Sequence, residues 1–100
     1  MLTLKEIHDF LGGHEGWFID GNTLAYEKAF ERYDDARKFV EAVGRVAVAL
    51  QHFPTLLWDI NKVKITTSTY LQNGEQGIDE MDKKLAEEIE KEVGKDKNGI

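Results

Sequence analysis

Gln51-His52-Phe53-Pro54, continuing through Thr55-Leu56-Leu57-Trp58-Asp59-Ile60 to Asn61-Lys62-Val63-Lys64-Ile65-Thr66-Thr67-Ser68-Thr69-Tyr70, is the stretch whose reading decides the fold. Pro54 is the only proline of the chain; its ring removes a backbone donor and disfavours helical geometry at Phe53. A helix arriving from the N-terminal side therefore stops here, with His52 expected in its last turn. Beyond the proline, Leu56, Trp58 and Ile60 alternate with Leu57, Asp59 and Asn61. Val63, Ile65, Thr67 and Thr69 then alternate with Lys62, Lys64, Thr66 and Ser68. A period of two on both sides of a polar turn predicts a β-hairpin whose second strand runs from Lys62 to Tyr70.

Upstream, Phe39, Val43, Val46 and Leu50, joined by Val40 and Ala47, recur at helical spacing behind the acidic start Tyr33-Asp34-Asp35. This is the main core helix. Before it, Trp17-Phe18-Ile19, the turn residues Asp20-Gly21-Asn22 and an alternating run from Leu24 to Phe30 predict a first hairpin. At the N-terminus, Thr3-Leu4-Lys5-Glu6 has the form of a capping box, with Ile7, Phe10 and Leu11 on one face and Gly12-Gly13 as the stop. A helix over Leu4 to Leu11 follows. Downstream, Leu71 to Gly77 is expected to be loop, and Asp79 caps a last helix with Ile78, Met81, Leu85, Ile89 and Val93 on its apolar side. The order αββαββα gives an α+β fold, an antiparallel sheet of about four strands with helices packed on one face. The uncovered face then needs solvent or another subunit, and a strand as long as Lys62 to Tyr70 is a candidate sheet edge for pairing with a second chain.

Composition bounds what such a domain does. The chain has 100 residues, 41% of them hydrophobic, enough for one modest core and a single domain, expected as a body over 3–93 and a flexible tail over 94–100. There is no cysteine, so disulfides and thiolate zinc sites are excluded. A net charge of −6 argues against a nucleic-acid backbone as direct partner. No apolar run approaches the roughly 20 residues of a membrane span, and Met1 to Glu6 lacks the regions of a signal peptide, so a cytoplasmic location is expected. His8, His14 and His52 share no spacing that would place two ligands on one helical face, and the glycines at 12, 13 and 16 follow no strand, so neither a metal centre nor a phosphate loop is indicated.

Gly16-Trp17, the strand from Tyr26 to Phe30, the helix from Phe39 to Leu50, His52-x-Pro54, Asn61-Lys62-Val63-x-Ile65-Thr66 and Gly77-x-Asp79-x-x-Asp82-x-x-Leu85-Ala86 stand in an order that resembles the pterin-4a-carbinolamine dehydratases. The resemblance covers the chain from Thr3 to Val93. It implies dehydration of 4a-hydroxytetrahydropterin to quinonoid dihydropterin in pterin cofactor recycling, with pterin as the substrate and no metal or organic cofactor. The site must protonate or hydrogen-bond the departing 4a-hydroxyl and accept a proton from N5, work suited to an imidazole.

Carried onto this chain, the family pattern places His52, Tyr70 and Asp82 at the catalytic positions, and Phe53, Pro54, Trp58 and Thr69 around the substrate. His52 sits at the first family histidine. Phe53 and Tyr70 stand where further histidines are usual, Val48 where an acidic residue is usual, and the family's aromatic falls on Ile60, two residues after Trp58. The loop Leu71 to Gly77 is also longer than the family's. Phe53 transfers no proton but offers a ring for stacking, and a phenol at Tyr70, with a reference pKa of about 10, is a poor base at neutral pH. Each retained residue also has a structural reading: His52 against a helix dipole, Asp82 as the N3 half of a capping box, Tyr70 as packing at a strand end. Relatives of this fold also act as dimerisation cofactors or assembly factors. The resemblance thus leaves a divergent dehydratase and a non-catalytic interaction module both open, with a homodimer or homotetramer expected and a further protein partner allowed by the second.

Overall fold

The computed structural model describes residues 1–98. Its elements are α1 (Leu4–Gly12), β1 (Trp17–Asp20), β2 (Thr23–Ala29), α2 (Tyr33–Leu50), β3 (Thr55–Asp59), β4 (Lys62–Thr67), β5 (Thr69–Tyr70), β6 (Gln76–Gly77) and α3 (Glu80–Asn98). The expected αββαββα order holds, with one small addition: β5 and β6 form a separate two-stranded ribbon between β4 and α3. The main sheet is antiparallel throughout, in the order β1-β2-β4-β3. Helix α3 continues to Asn98, through most of the stretch expected as tail; Gly99 and Ile100 lie outside the described residues.

Local chemistry explains the boundaries. Thr3 caps α1 through a complete capping box, its hydroxyl accepting from the Glu6 N–H at 3.2 Å and its own N–H donating to Glu6 Oε1 at 3.0 Å. Helix α2 ends in a Schellman motif. Gln51 takes the left-handed conformation at φ 54°, its N–H reaches Val48 O at 3.2 Å, and the His52 N–H reaches Ala47 O at 3.1 Å. His52 therefore lies just past the helix instead of in its last turn, and Pro54 follows where such motifs commonly place one.

The core lies between the sheet and the helices. Val63 and Ile65 of β4, Leu24 of β2, and Phe39 and Val43 of α2 are buried there, together with Leu85, Ala86 and Ile89 of α3. Phe39 touches the rings of both Phe30 and Tyr26, at centroid distances of 5.3 and 6.5 Å. On the opposite face Lys64 donates to Asp20 at 2.7 Å, and Lys64 stands directly across from Glu27. Leu57 of β3 stands across from Lys64 on the same face and is exposed, so cross-strand charge and an apolar side chain share it.

Three expectations are corrected. The strand Lys62 to Tyr70 stops at Thr67, because Thr69 and Tyr70 leave the sheet to pair with Gly77 and Gln76. The intervening residues are consequently a hairpin tip, closed by Leu71 N–H to Glu75 O at 2.8 Å and Gly74 N–H to Leu71 O at 2.9 Å. β4 is also interior, between β2 and β3; the edges are the shorter β1 and β3. In α3 the buried stripe is Asp82, Leu85, Ala86 and Ile89, while Met81 is exposed. The inward position of the first turn is thus held by a carboxylate.

Candidate active site

Asp82 is completely buried, which an ionised carboxylate tolerates only when its oxygens are satisfied. Four donors satisfy them. Oδ1 accepts from His52 Nε2 at 2.7 Å and from the Thr67 hydroxyl at 2.6 Å. Oδ2 accepts from the Thr69 hydroxyl at 2.8 Å and from the backbone N–H of Asp79 at 2.9 Å. The last of these is the capping contact expected of an N3 carboxylate, so the structural role of Asp82 is real, and the same side chain also holds the histidine.

Each partner is delivered by a different element. The Schellman turn fixes the backbone of His52 at the end of α2; the inward phase of β4 carries Thr67; and the departure of the chain after Thr67 swings Thr69 onto the other carboxylate oxygen. α3 begins at Glu80, directly after the β5–β6 ribbon, so Asp82 enters from below on its first turn. A carboxylate accepts only, so the imidazole nitrogen facing it must carry the proton. His52 is thereby held with hydrogen on Nε2 and a lone pair on Nδ1, which has no hydrogen-bond partner among the described residues. This is the arrangement in which a buried aspartate fixes the tautomer and orientation of an imidazole.

Of the remaining sequence candidates, one is brought into contact with this pair. Thr69 is in direct contact with Asp82. Phe53 and Tyr70 are 65% and 68% exposed, and neither bonds to His52 or Asp82 among the described residues. Pro54 leads into β3, and Val48 is exposed on the last turns of α2. Trp58 sits further away on β3, its ring 5.0 Å from that of Tyr33 and its indole N–H donating to Ile60 O at 2.8 Å. Among the described residues no cluster of three His, Cys, Asp or Glu side chains is placed to hold a metal ion.

Thr67 was not singled out from the sequence. The signal existed: it shares the inward phase of Val63 and Ile65, and a hydroxyl at a core position needs a partner.

The model of the family described as pterin 4 alpha carbinolamine dehydratase matches residues 1–92. The chain belongs to this family. Similar dehydratase relatives include a Trichodesmium erythraeum protein, 33% identical over 89 residues that cover 89% of this chain and 92% of the relative. A Sulfolobus acidocaldarius protein is 33% identical over 90 residues, covering 90% of this chain and 96% of its own. Both bear the name "Putative pterin-4-alpha-carbinolamine dehydratase". Among solved structures, a Brucella melitensis protein described as a transcriptional coactivator/pterin dehydratase superposes with a TM-score of 0.80 at 27% identity, over 90% of this chain and 95% of that one. The dehydratase fold is therefore shared along nearly the whole chain.

Proposed function

We propose that this protein dehydrates 4a-hydroxytetrahydropterin to quinonoid dihydropterin, with His52 as the proton-transfer group. The observation that carries this reading is the hydrogen bond from His52 Nε2 to the buried, fully satisfied Asp82, which leaves Nδ1 as the free nitrogen. One imidazole suffices for the proton balance. Protonated His52 gives its Nδ1 proton to the 4a-hydroxyl, the C4a–O bond breaks with its electron pair on oxygen, and water leaves. The neutral imidazole then takes the proton from N5, the N5 electron pair completes the C4a=N5 bond, and the histidine returns to its starting state. Asp82 keeps the imidazole oriented through each cycle, and Thr67 and Thr69 hold Asp82 in place. Phe53, exposed next to His52 in the chain, offers an apolar ring to the flat pterin, and the exposed Tyr70, one residue after Thr69, is proposed as a hydroxyl donor to it.

A second reading is favoured by a specific feature, the β3 edge. Leu57 on β3 and Ile60 in the turn after it are 64% and 69% exposed, and Ile60 is a β-branched residue at φ 52°, a conformation such residues rarely adopt. A sheet edge with apolar side chains invites a further strand, which supports homodimer or homotetramer formation and, as the alternative function, a protein-interaction module. The dehydration rate of freshly generated 4a-hydroxytetrahydropterin separates the two functions. Wild type is expected to exceed buffer, and a rate equal to buffer leaves the interaction reading alone.

A further inference from the structure

The tip joining β5 to β6 makes none of the contacts to Asp82, and it carries the pair Asn73-Gly74. Its residues, 71–75, are all exposed. Two hydrogen bonds within the tip set the conformation of Asn73. The Gly74 N–H donates to Leu71 O at 2.9 Å, which makes Asn73 the third residue of a four-residue turn. The Glu75 N–H donates to Asn73 Oδ1, also at 2.9 Å. A side-chain oxygen bonded to the N–H two residues on is an Asx turn, and it folds the amide of Asn73 back over the Gly74 peptide, bringing Cγ beside the Gly74 nitrogen.

That nitrogen is open to attack on the amide, because Gly74 has no Cβ to shield it. The Asn73 amide nitrogen, Nδ2, has no hydrogen-bond partner among the described residues and is free to leave. Two other asparagines lack this combination: Asn22 precedes the β-branched Thr23, and Asn61 precedes Lys62 with its Nδ2 held by Phe30 O at 2.6 Å. Asn98 precedes Gly99, which lies outside the described residues.

We propose that Asn73 is a self-modification site, converted to aspartate and isoaspartate through a cyclic imide formed with the Gly74 nitrogen. The Gly74–Leu71 bond opens locally at this exposed tip, and solvent base removes the Gly74 N–H proton. The nitrogen attacks Cγ, a C–N bond forms, and the carbonyl electron pair moves onto Oδ1. The Glu75 N–H already points at that oxygen, so negative charge develops where a donor stands. The pair returns, the Cγ–Nδ2 bond breaks, and Nδ2 takes a proton from solvent and leaves as ammonia. Water then opens the imide at either carbonyl, giving aspartate or, with the main chain rerouted through Cγ, isoaspartate; one water is consumed and one ammonia released. Either product adds a carboxylate beside Glu75, and isoaspartate adds a backbone carbon to the tip of the ribbon whose first strand carries Thr69. The chemistry involves no pterin and is independent of the dehydratase reading.

The test is incubation of the folded protein at mildly alkaline pH, then trypsin and fragment-ion mass spectrometry of the peptide over 65–83, whose only asparagine is Asn73, against a sample digested at once. A gain of one mass unit at Asn73 is expected, faster as pH rises, with Asn22 and Asn61 unchanged. Gly74→Asp is the informative variant. Gly74 sits at φ 89° with no atom within 4 Å of an added Cβ, and aspartate tolerates the left-handed region, so the fold is kept while the nitrogen is hindered. Conversion is expected to slow about tenfold or more in this variant. Unconverted Asn73 in the folded wild type, or equal conversion in Gly74→Asp, overturns the proposal. So does a folded rate about tenfold below that of the chain in guanidinium, because the turn would then protect Asn73 instead of activating it.

Discussion

His52 and Asp82 are one unit, because the carboxylate that fixes the imidazole is itself fixed by Thr67, Thr69 and the Asp79 N–H. Thr67 is 2% exposed, so replacing it with the isosteric valine removes one donor from a buried charge without leaving a void. Thr67→Val is expected to lower unfolding free energy by about 1–2 kcal/mol in denaturant titration, and unchanged stability would mean that Asp82 does not depend on this hydroxyl. Glu6 offers a second residue-level test. The Thr3 backbone N–H, then the Thr3 hydroxyl, hold its carboxyl below the usual glutamate range. A depressed carboxyl contributes stability that is fully present above its unfolded pKa and is lost as pH falls through the folded one. Thr3→Ala is therefore expected to lower Tm at pH 7 and to matter less at acid pH, once Glu6 is protonated in the folded protein; an equal effect at both would contradict the coupling to Glu6.

At the scale of elements, the Schellman turn aims His52. Gln51 adopts there a left-handed conformation that glycine takes without cost, so Gln51→Gly is expected to raise stability by about 1 kcal/mol, and a loss would mean that its side-chain bond to Val48 O outweighs the strain. Much of this level was legible in the sequence. Pro54 gave the stop, the period of two gave both hairpins, and Thr3 to Glu6 gave the first cap. The break after Thr67 was not legible, because Thr67-Ser68-Thr69 continues the alternation and the residues that capture β5, Gln76 and Gly77, bear no strand signal. The inward turn of Asp82 was hidden for another reason. An apolar stripe favours Met81 over a carboxylate unless the four donors are known, and three of them come from distant parts of the chain, the fourth from the residue preceding α3.

For the whole molecule, the exposed apolar surface bears on assembly: Leu57 of the edge strand β3 stands beside the Lys64–Asp20 pair, and Ile60 is exposed in the turn after β3. Sedimentation velocity is expected to give a dimer or tetramer, and Leu57→Lys/Ile60→Lys a smaller species; a wild-type monomer at all concentrations would remove the edge from the account. The proposed function rests on His52, at the point where α2, β4, the β5–β6 ribbon and α3 converge. The dehydration rate of 4a-hydroxytetrahydropterin by wild type and by His52→Ala is the decisive measurement. The account predicts catalysis above buffer for wild type and a loss of ~100-fold or more on removing the imidazole. Full activity in His52→Ala would contradict it.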